Sequence, residues 1–435
     1  MKVSSDAVRY LAFEGGGGKG IVYLGVLQAL EDLDIVSRIE VEKNNKKFTR
    51  LDSSKIKGIA GTSVGAITAL LIACGYTSDE AREILSTDIG NNVLDTTEFG
   101  KIITIYSEDN ENCVVQDDRF PEAEKYMNNA WTQYMQSDDK SFKKALEVPL
   151  RSIRRFSFEL FAYLLRGYLN FELKRSEKKK HTERFHFIPV HEIIQSESQK
   201  AAADMILTEP LHSLNSMIYE YGFFLGEKAR HMFNEFIEKK SGIKNCTFKQ
   251  FYEEFNVDLV VTSVCLNSNE VFYFRNNEKW QDLCVADAVR MSMGIPFLFK
   301  PVMFEEVDGE TKPFTNNFHN ARFMVDGGIE DNFPIRAFNE PKSDILNPRI
   351  LGFTLEPESK TTTTEIPNLV DYIDNALYIF LKNATELQIK HPAEKDQVVG
   401  LDTGNISIFD FNFAQMPDDI VKKARKRTLE YFNDN

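Results

Sequence analysis

Two stretches decide the fold: Val8-Arg9-Tyr10-Leu11-Ala12-Phe13-Glu14-Gly15-Gly16-Gly17-Gly18-Lys19-Gly20 and Ile56-Lys57-Gly58-Ile59-Ala60-Gly61-Thr62-Ser63-Val64-Gly65. Each opens with a short, apolar, β-prone run and ends in a glycine-rich turn. A helical pattern follows each turn. Ile21, Leu24, Leu27 and Leu30 recur on one face of Ile21 to Leu33, and Ala66 to Ala73 is apolar throughout. Two strand-glycine-helix units in succession predict an α/β domain with a mainly parallel sheet.

Outward from these units, residues 105–250 are charged, aromatic and helical in period, with few turn signals. Strand patterns return at 257 in VDLVVTSVCL and EVFYFRN, and the Asn267-Ser268-Asn269 between them predicts a hairpin. Ala286 to Met293 reads as a helix, and Ala321 to Val325 as a strand leading into Asp326-Gly327-Gly328. The chain closes with ISIFDFNF and a basic-faced helix over Asp418 to Tyr431. The expected organisation is an α/β core of residues 1–104 and 251–435, interrupted by a large helical insertion at 105–250.

Composition narrows the class. The 435 residues carry 52 Lys and Arg against 66 Asp and Glu, a net charge of −14, which argues against a general nucleic-acid binder. With 42% hydrophobic and 27% charged residues the chain reads as globular and soluble rather than disordered. Five scattered cysteines without a Cys-x-x-Cys pair fit a reducing, cytoplasmic setting and predict no metal site. The opening MKVSSDAVRYLAF lacks the apolar core of a signal peptide, and the longest apolar run, Ala66 to Gly75, is too short to span a membrane.

The glycine run admits three chemical readings. A P-loop needs Ser or Thr after its lysine, whereas Gly20 follows Lys19, so that reading fails. A dinucleotide fingerprint fits Gly15, Gly17 and Gly20, with Asp34 or Glu40 as the ribose acid. The third is an oxyanion hole built from glycine amides. Gly61-Thr62-Ser63-Val64-Gly65 is a weak motif alone, and a serine there could simply cap a helix. Between a strand and an apolar helix, however, Gly-x-Ser-x-Gly is what a nucleophile elbow requires. A nucleophilic serine needs a base. The seven histidines sit in no strand-end glycine context, whereas Asp326 ends an apolar strand and precedes two glycines.

In combination these residues resemble the patatin-like phospholipases, which pair a Gly-Gly-Gly-x-Lys/Arg-Gly loop with a Gly-x-Ser-x-Gly elbow and an Asp-Gly-Gly/Ala acid. The resemblance covers about 8–85, 256–340 and 396–432, including Ser292, Pro296, Asn332-Phe333-Pro334 and TGNISIFDFNF. Glu14 departs from the Asp of many relatives.

The resemblance implies a three-layer α/β/α core and a Ser63–Asp326 dyad, with Ser63 as nucleophile and Asp326 as base. It implies an oxyanion hole from the amides of Gly16, Gly17 and Gly18, supported by Gly15, Lys19, Gly20, Gly61, Gly65, Gly327 and Gly328. The activity implied is hydrolysis of phospholipid carboxylic esters through an acyl-enzyme, with no metal or other cofactor. A free Asp is a poor base at neutral pH, so Asp326 is expected to be desolvated.

A phospholipid membrane surface is then the expected partner, and peripheral membrane association the expected location. Lys140 to Arg184 holds 13 Lys and Arg against 5 Glu, interleaved with aromatics such as Phe156, Phe161 and Tyr168. This stretch fits an anionic lipid surface, a docking site for an activating protein, or a solvated helix face. Some relatives are effectors held inactive until a protein or small-molecule activator arrives. Activator dependence, and secretion as an effector without a signal peptide, are expectations of that kind. Three alternatives stay open: a nucleotide-binding module, a catalytically idle membrane-binding scaffold, and a Ser-His-Asp esterase using His319.

Overall fold

A computed structural model describes residues 2–43, 46–86, 100–119, 216–356, 369–410, 413, 416 and 418–433. The basic stretch 140–184 and most of the expected helical insertion lie outside the described residues.

The first unit forms strand β1 (Tyr10–Phe13) and helix α1 (Tyr23–Asp32), joined by the glycine loop wound as a 3₁₀ turn over Gly17–Val22. A hairpin of β2 (Arg38–Lys43) and β3 (Lys46–Leu51) separates it from the second unit, β4 (Gly58–Gly61) and α2 (Val64–Ala73). Helix α3 (Ser78–Ser86) and the hairpin β5 (Lys101–Ile103) with β6 (Val114–Gln116) follow. Beyond 216 come β7 (Gly222–Phe224), α4 (Glu227–Ser241), α5 (Phe248–Phe255), β8 (Asp258–Cys265) and β9 (Glu270–Phe274). Next are α6 (Val285–Ser292), β10 (Phe297–Phe299), β11 (Val302–Val307), β12 (Glu310–Pro313) and β13 (Ala321–Asp326). The chain closes with β14 (Ile350–Glu356), α7 (Leu369–Gln388), β15 (Val398–Asp402) and α8 (Asp418–Asn433).

The chain is α/β, built on a nine-stranded sheet. Its parallel part runs β8-β4-β1-β14-β15. Side-chain alternation decides what each face buries. Leu11, Phe13, Ile59, Leu259 and Val261 point into the large core under helices α1 and α2. Ala12, Ala60 and Val260 point to the other face, which Phe333, Ile335 and Phe338 cover. Burial on both faces is why these strands read as continuous apolar runs.

At the β8 edge the sheet turns antiparallel: β9 pairs with β8, β13 with β8, β11 with β13, and β12 with β11. Asp308 and Gly309, both with positive φ, make the two-residue turn between β11 and β12. Residues 406–410, which open ISIFDFNF, form no strand and follow β15. Part of the expected insertion belongs to the core, since Phe233 and Ile237 of α4 are buried among the residues of α6 and β8. Among the described residues, no helix is long and apolar enough to cross a membrane.

Candidate active site

Strand β8 assembles the site. On one of its edges, β4 pairs in parallel with Asp258–Val261, ending with Gly61 opposite Val261. Strand β13 comes in antiparallel along the same edge and ends with Asp326 opposite Ser263. The other edge is taken by β9, which pairs with both Val261 and Ser263. Two strands thus run head-on along one edge, and their C-terminal ends meet at Thr262. Ser63 leaves the end of β4 and Asp326 forms the end of β13, so a mixed sheet brings together residues far apart in sequence.

Ser63 sits at φ 54°, ψ −123°, a conformation L residues avoid, in the sharp turn that opens α2. Glycine is required beside it: a Cβ at Gly61 would lie 2.1 Å from the Gly65 carbonyl oxygen, and one at Gly65 would lie 2.3 Å from that of Phe13. The Ser63 N–H donates to Ser292 Oγ at 2.9 Å, which fixes the elbow to α6. The Ser63 side chain is among the groups that act against the rise in the Asp326 carboxyl.

Asp326 is only 4% exposed. Burial pushes its carboxyl up to about 7, against the opposing Gly328 hydrogen bond and the Ser63 side chain. Gly328 N–H donates to Asp326 Oδ1 at 2.8 Å, and the Asp326 N–H donates to Gly294 O at 2.9 Å. Gly327 packs against Thr262, where a Cβ would fall 2.6 Å from its hydroxyl.

The glycine loop lies against the same site. Gly15 N–H donates to Asn332 O at 3.0 Å, and a Cβ on Gly15 would approach Ser63 Cβ to 3.1 Å. Gly17 has φ +55° and borders the same cavity as Ser63. Gly20 packs so closely on α2 that a Cβ would meet Val64 at 2.1 Å. One expectation needs correction: Gly18 N–H donates to Ile408 O at 3.0 Å, so this amide is committed elsewhere and cannot be a third oxyanion donor. Lys19 is buried, with Nζ 4.3 Å from the centre of the Tyr378 ring.

The same segment weakens the nucleotide reading. The carbonyl oxygens of Ile408 and Asp410 lie 2.0 and 1.9 Å from where Cβ atoms on Gly17 and Gly18 would be. They cover the loop with acceptors, which repel a phosphate. Asp34, a candidate ribose acid, is paired with Lys55, and Glu40 lies out on the β2–β3 hairpin beside Lys47. His231, His319 and His391, the described histidines, are absent from the cavity lining, while the other four fall outside the described residues.

Long-range hydrogen bonds tie further residues to the site. Asn332 Nδ2 donates to Glu14 Oε1 at 3.1 Å, to Gly15 O at 3.2 Å and to Thr385 Oγ1 at 3.1 Å, tying the acid loop to the glycine loop and to α7. Glu14 also accepts from Thr385 and from the Leu355 amide. Burial pushes the Glu14 carboxyl up to about 7, against hydrogen bonds from Thr385, Leu355 and Asn332 and the charge of Lys19. Asp331, pushed up to about 6 by burial, accepts from Tyr273 at 2.5 Å.

The chain is similar to several known proteins. Protein R571 of Acanthamoeba polyphaga mimivirus is 26% identical over 176 residues, 39% of this chain and 51% of that protein. YqhO of Bacillus subtilis (strain 168) is 28% identical over 149 residues, 34% of this chain and 46% of that protein. The matches therefore span about half the length of these two relatives. Among solved structures, VipD from Legionella pneumophila aligns with a TM-score of 0.41 at 17% identity, covering 98% of this chain and 67% of that one. ExoU from Pseudomonas aeruginosa, solved as a heterodimer with SpcU, aligns with a TM-score of 0.37 at 16% identity, covering 99% and 52%. The model of the patatin-like phospholipases matches residues 11–339, a span that holds the glycine loop, the Ser63 elbow and Asp326 alike, and the chain belongs to that family.

Proposed function

We propose that the protein hydrolyses carboxylic esters of phospholipids through a Ser63–Asp326 dyad and an acyl-enzyme. The observation that carries this reading is the meeting of two strand ends at Thr262, which brings the Ser63 elbow beside the buried Asp326, whose carboxyl burial pushes up to about 7. An acid titrating near the working pH can both accept and return a proton, which an exposed aspartate cannot do well.

In the proposed reaction, Asp326 takes the hydroxyl proton as Ser63 Oγ attacks the ester carbonyl carbon. The carbonyl π electrons move onto oxygen, and the Gly16 and Gly17 amides receive the oxyanion; each such donor is worth roughly 3–4 kcal/mol. Collapse expels the alcohol, which takes the proton back from Asp326. Water then repeats the sequence on the acyl-Ser63 ester and releases the fatty acid. Ser292 acts through the Ser63 backbone, and is a positioning residue.

Family membership supports a lipid ester as substrate, and the apolar cavity beside Ser63 supports an acyl chain as what it holds. Peripheral membrane association and dependence on a protein or small-molecule activator belong to this proposal. The test is fatty-acid release from mixed phospholipid vesicles, with and without cell extract, by wild type, Ser63→Ala and Asp326→Ala. Release by wild type alone is expected. Release that survives Ser63→Ala would sink the mechanism.

A further inference from the structure

An apolar cavity of about 90 Å³ opens beside Ser63 and runs along α2. Val64, Ile67, Thr68, Leu71 and Ile72 line it, one continuous face of that helix. Val64, Ile67 and Thr68 are half-buried, whereas Leu71 and Ile72 are buried. Along α2, exposure therefore falls from the Ser63 end toward Leu71 and Ile72. Thr68 adds no polar wall, because its hydroxyl donates to Val64 O at 3.0 Å within the helix.

Phe236 lies at the more buried end, beside the C-terminus of α2. Tyr76, just beyond α2, donates its hydroxyl to Phe236 O at 3.0 Å and packs edge-on against the Phe236 ring at 5.9 Å. Phe236 and Ala81 are both buried and both line the cavity, and Ala81 belongs to α3, which starts shortly after α2 ends.

We propose that this cavity holds the acyl chain of the ester cleaved at Ser63, and that Phe236 and Ala81 limit that chain to about eight to ten carbons. The inference rests on the proposed role of Ser63. From Val64 to Ile72 the helix rises about 12 Å at about 1.5 Å per residue. An extended alkyl chain advances about 1.25 Å per carbon, from a bond of about 1.52 Å at a near-tetrahedral angle. That length admits nine or ten carbons, roughly. The volume agrees: at about 10–15 Å³ for one water-sized unit, the cavity takes roughly six to nine such units, and a methylene is close to that size.

The test is calorimetric binding of butyrate, octanoate, decanoate and palmitate to Ser63→Ala, which binds without turnover. Affinity should climb about fourfold per methylene until the floor is reached, then level off near decanoate. Adding Phe236→Ala should move the break to longer chains, and adding Ala81→Leu should move it to shorter ones. Because the two changes act in opposite directions, general loosening of the fold cannot imitate both. Affinity that climbs unbroken to palmitate, or a break that neither change moves, would overturn the inference. Hydrolysis of p-nitrophenyl butyrate by wild type, abolished in Ser63→Ala, reports on the nucleophile separately, since that chain is too short to reach Phe236.

Discussion

Thr62 and Thr262 share a hydrogen bond across the gap where β4 and β13 meet end to end. Thr62 immediately precedes Ser63, and Thr262 immediately precedes the partner of Asp326 in β8. Thr62 also donates to Asp331 O at 2.9 Å. The pair fills the break in backbone pairing at the point where the two reacting side chains emerge. Thr262→Val should cost about 1 kcal/mol in urea unfolding. It should also lower kcat about tenfold with little change in KM, as expected for a loss of orientation rather than of binding. An unchanged kcat would remove the threonines from the positioning of Ser63.

The acid-base chemistry should be visible in the pH profile. Asp326 must be ionised to take the serine proton, and its carboxyl is pushed up to about 7 by burial. With a short soluble ester, kcat/KM should rise about tenfold per pH unit below that value and level off above it. A profile flat from acid to alkaline pH would exclude Asp326 as the base.

Stability should move the opposite way. Glu14 and Asp326, at about 7, and Asp331, at about 6, are all raised by burial above their unfolded values. The folded state holds protons that the unfolded chain releases, so this stability is fully present below about pH 4 and is lost as pH rises through 6 to 7. Each group adds up to about 1.4 kcal/mol per pH unit to that decline. Carboxylates with lowered values, Glu80 and Glu394 among them, act only in more acid solution. Urea midpoints should therefore fall between pH 5 and pH 8. Asp326→Asn, inactive, should flatten part of the fall and be more stable than wild type at pH 8.

The glycine loop predicts a contrast between two Gly→Ala changes. Gly17 and Gly242 both have positive φ, but a Cβ on Gly17 would lie 2.0 Å from Ile408 O, while one on Gly242 meets nothing within 4 Å. Gly242→Ala should cost about 1 kcal/mol of stability and leave the rate unchanged. Gly17→Ala must displace the 406–410 segment or the loop, and should lower kcat on the order of 100-fold, the scale of losing an oxyanion donor. Equal effects on rate would show that the loop amides play no part.

What could be read in the sequence follows from how local each signal is. The glycine loop and the Ser63 elbow are contiguous motifs on strand-to-helix turns, and β1, β4, α1 and α2 form where their patterns put them. Asp326 could be picked out because a strand ends there in two glycines. The antiparallel arrival of β13 could not, because apolar alternation is the same whichever way a strand runs. Asn332, Thr385 and Ser292 act through long-range hydrogen bonds, to Glu14 and the Ser63 backbone among others, and no spacing encodes those. The engagement of Gly18 by Ile408 was invisible for the same reason: it joins segments nearly 400 residues apart.

The head-on meeting of β4 and β13 also bears on when, during synthesis, the proposed dyad can be complete. Ser63 is synthesised early, yet Asp326 follows 263 residues later, and the 406–410 segment that seats against the glycine loop later still. Contacts so far apart close slowly and only once the intervening chain is in place. A ribosome-bound chain that has not yet reached β13 carries the Ser63 elbow without its proposed base. On the proposed mechanism, a copy cut short before that strand cannot hydrolyse an ester.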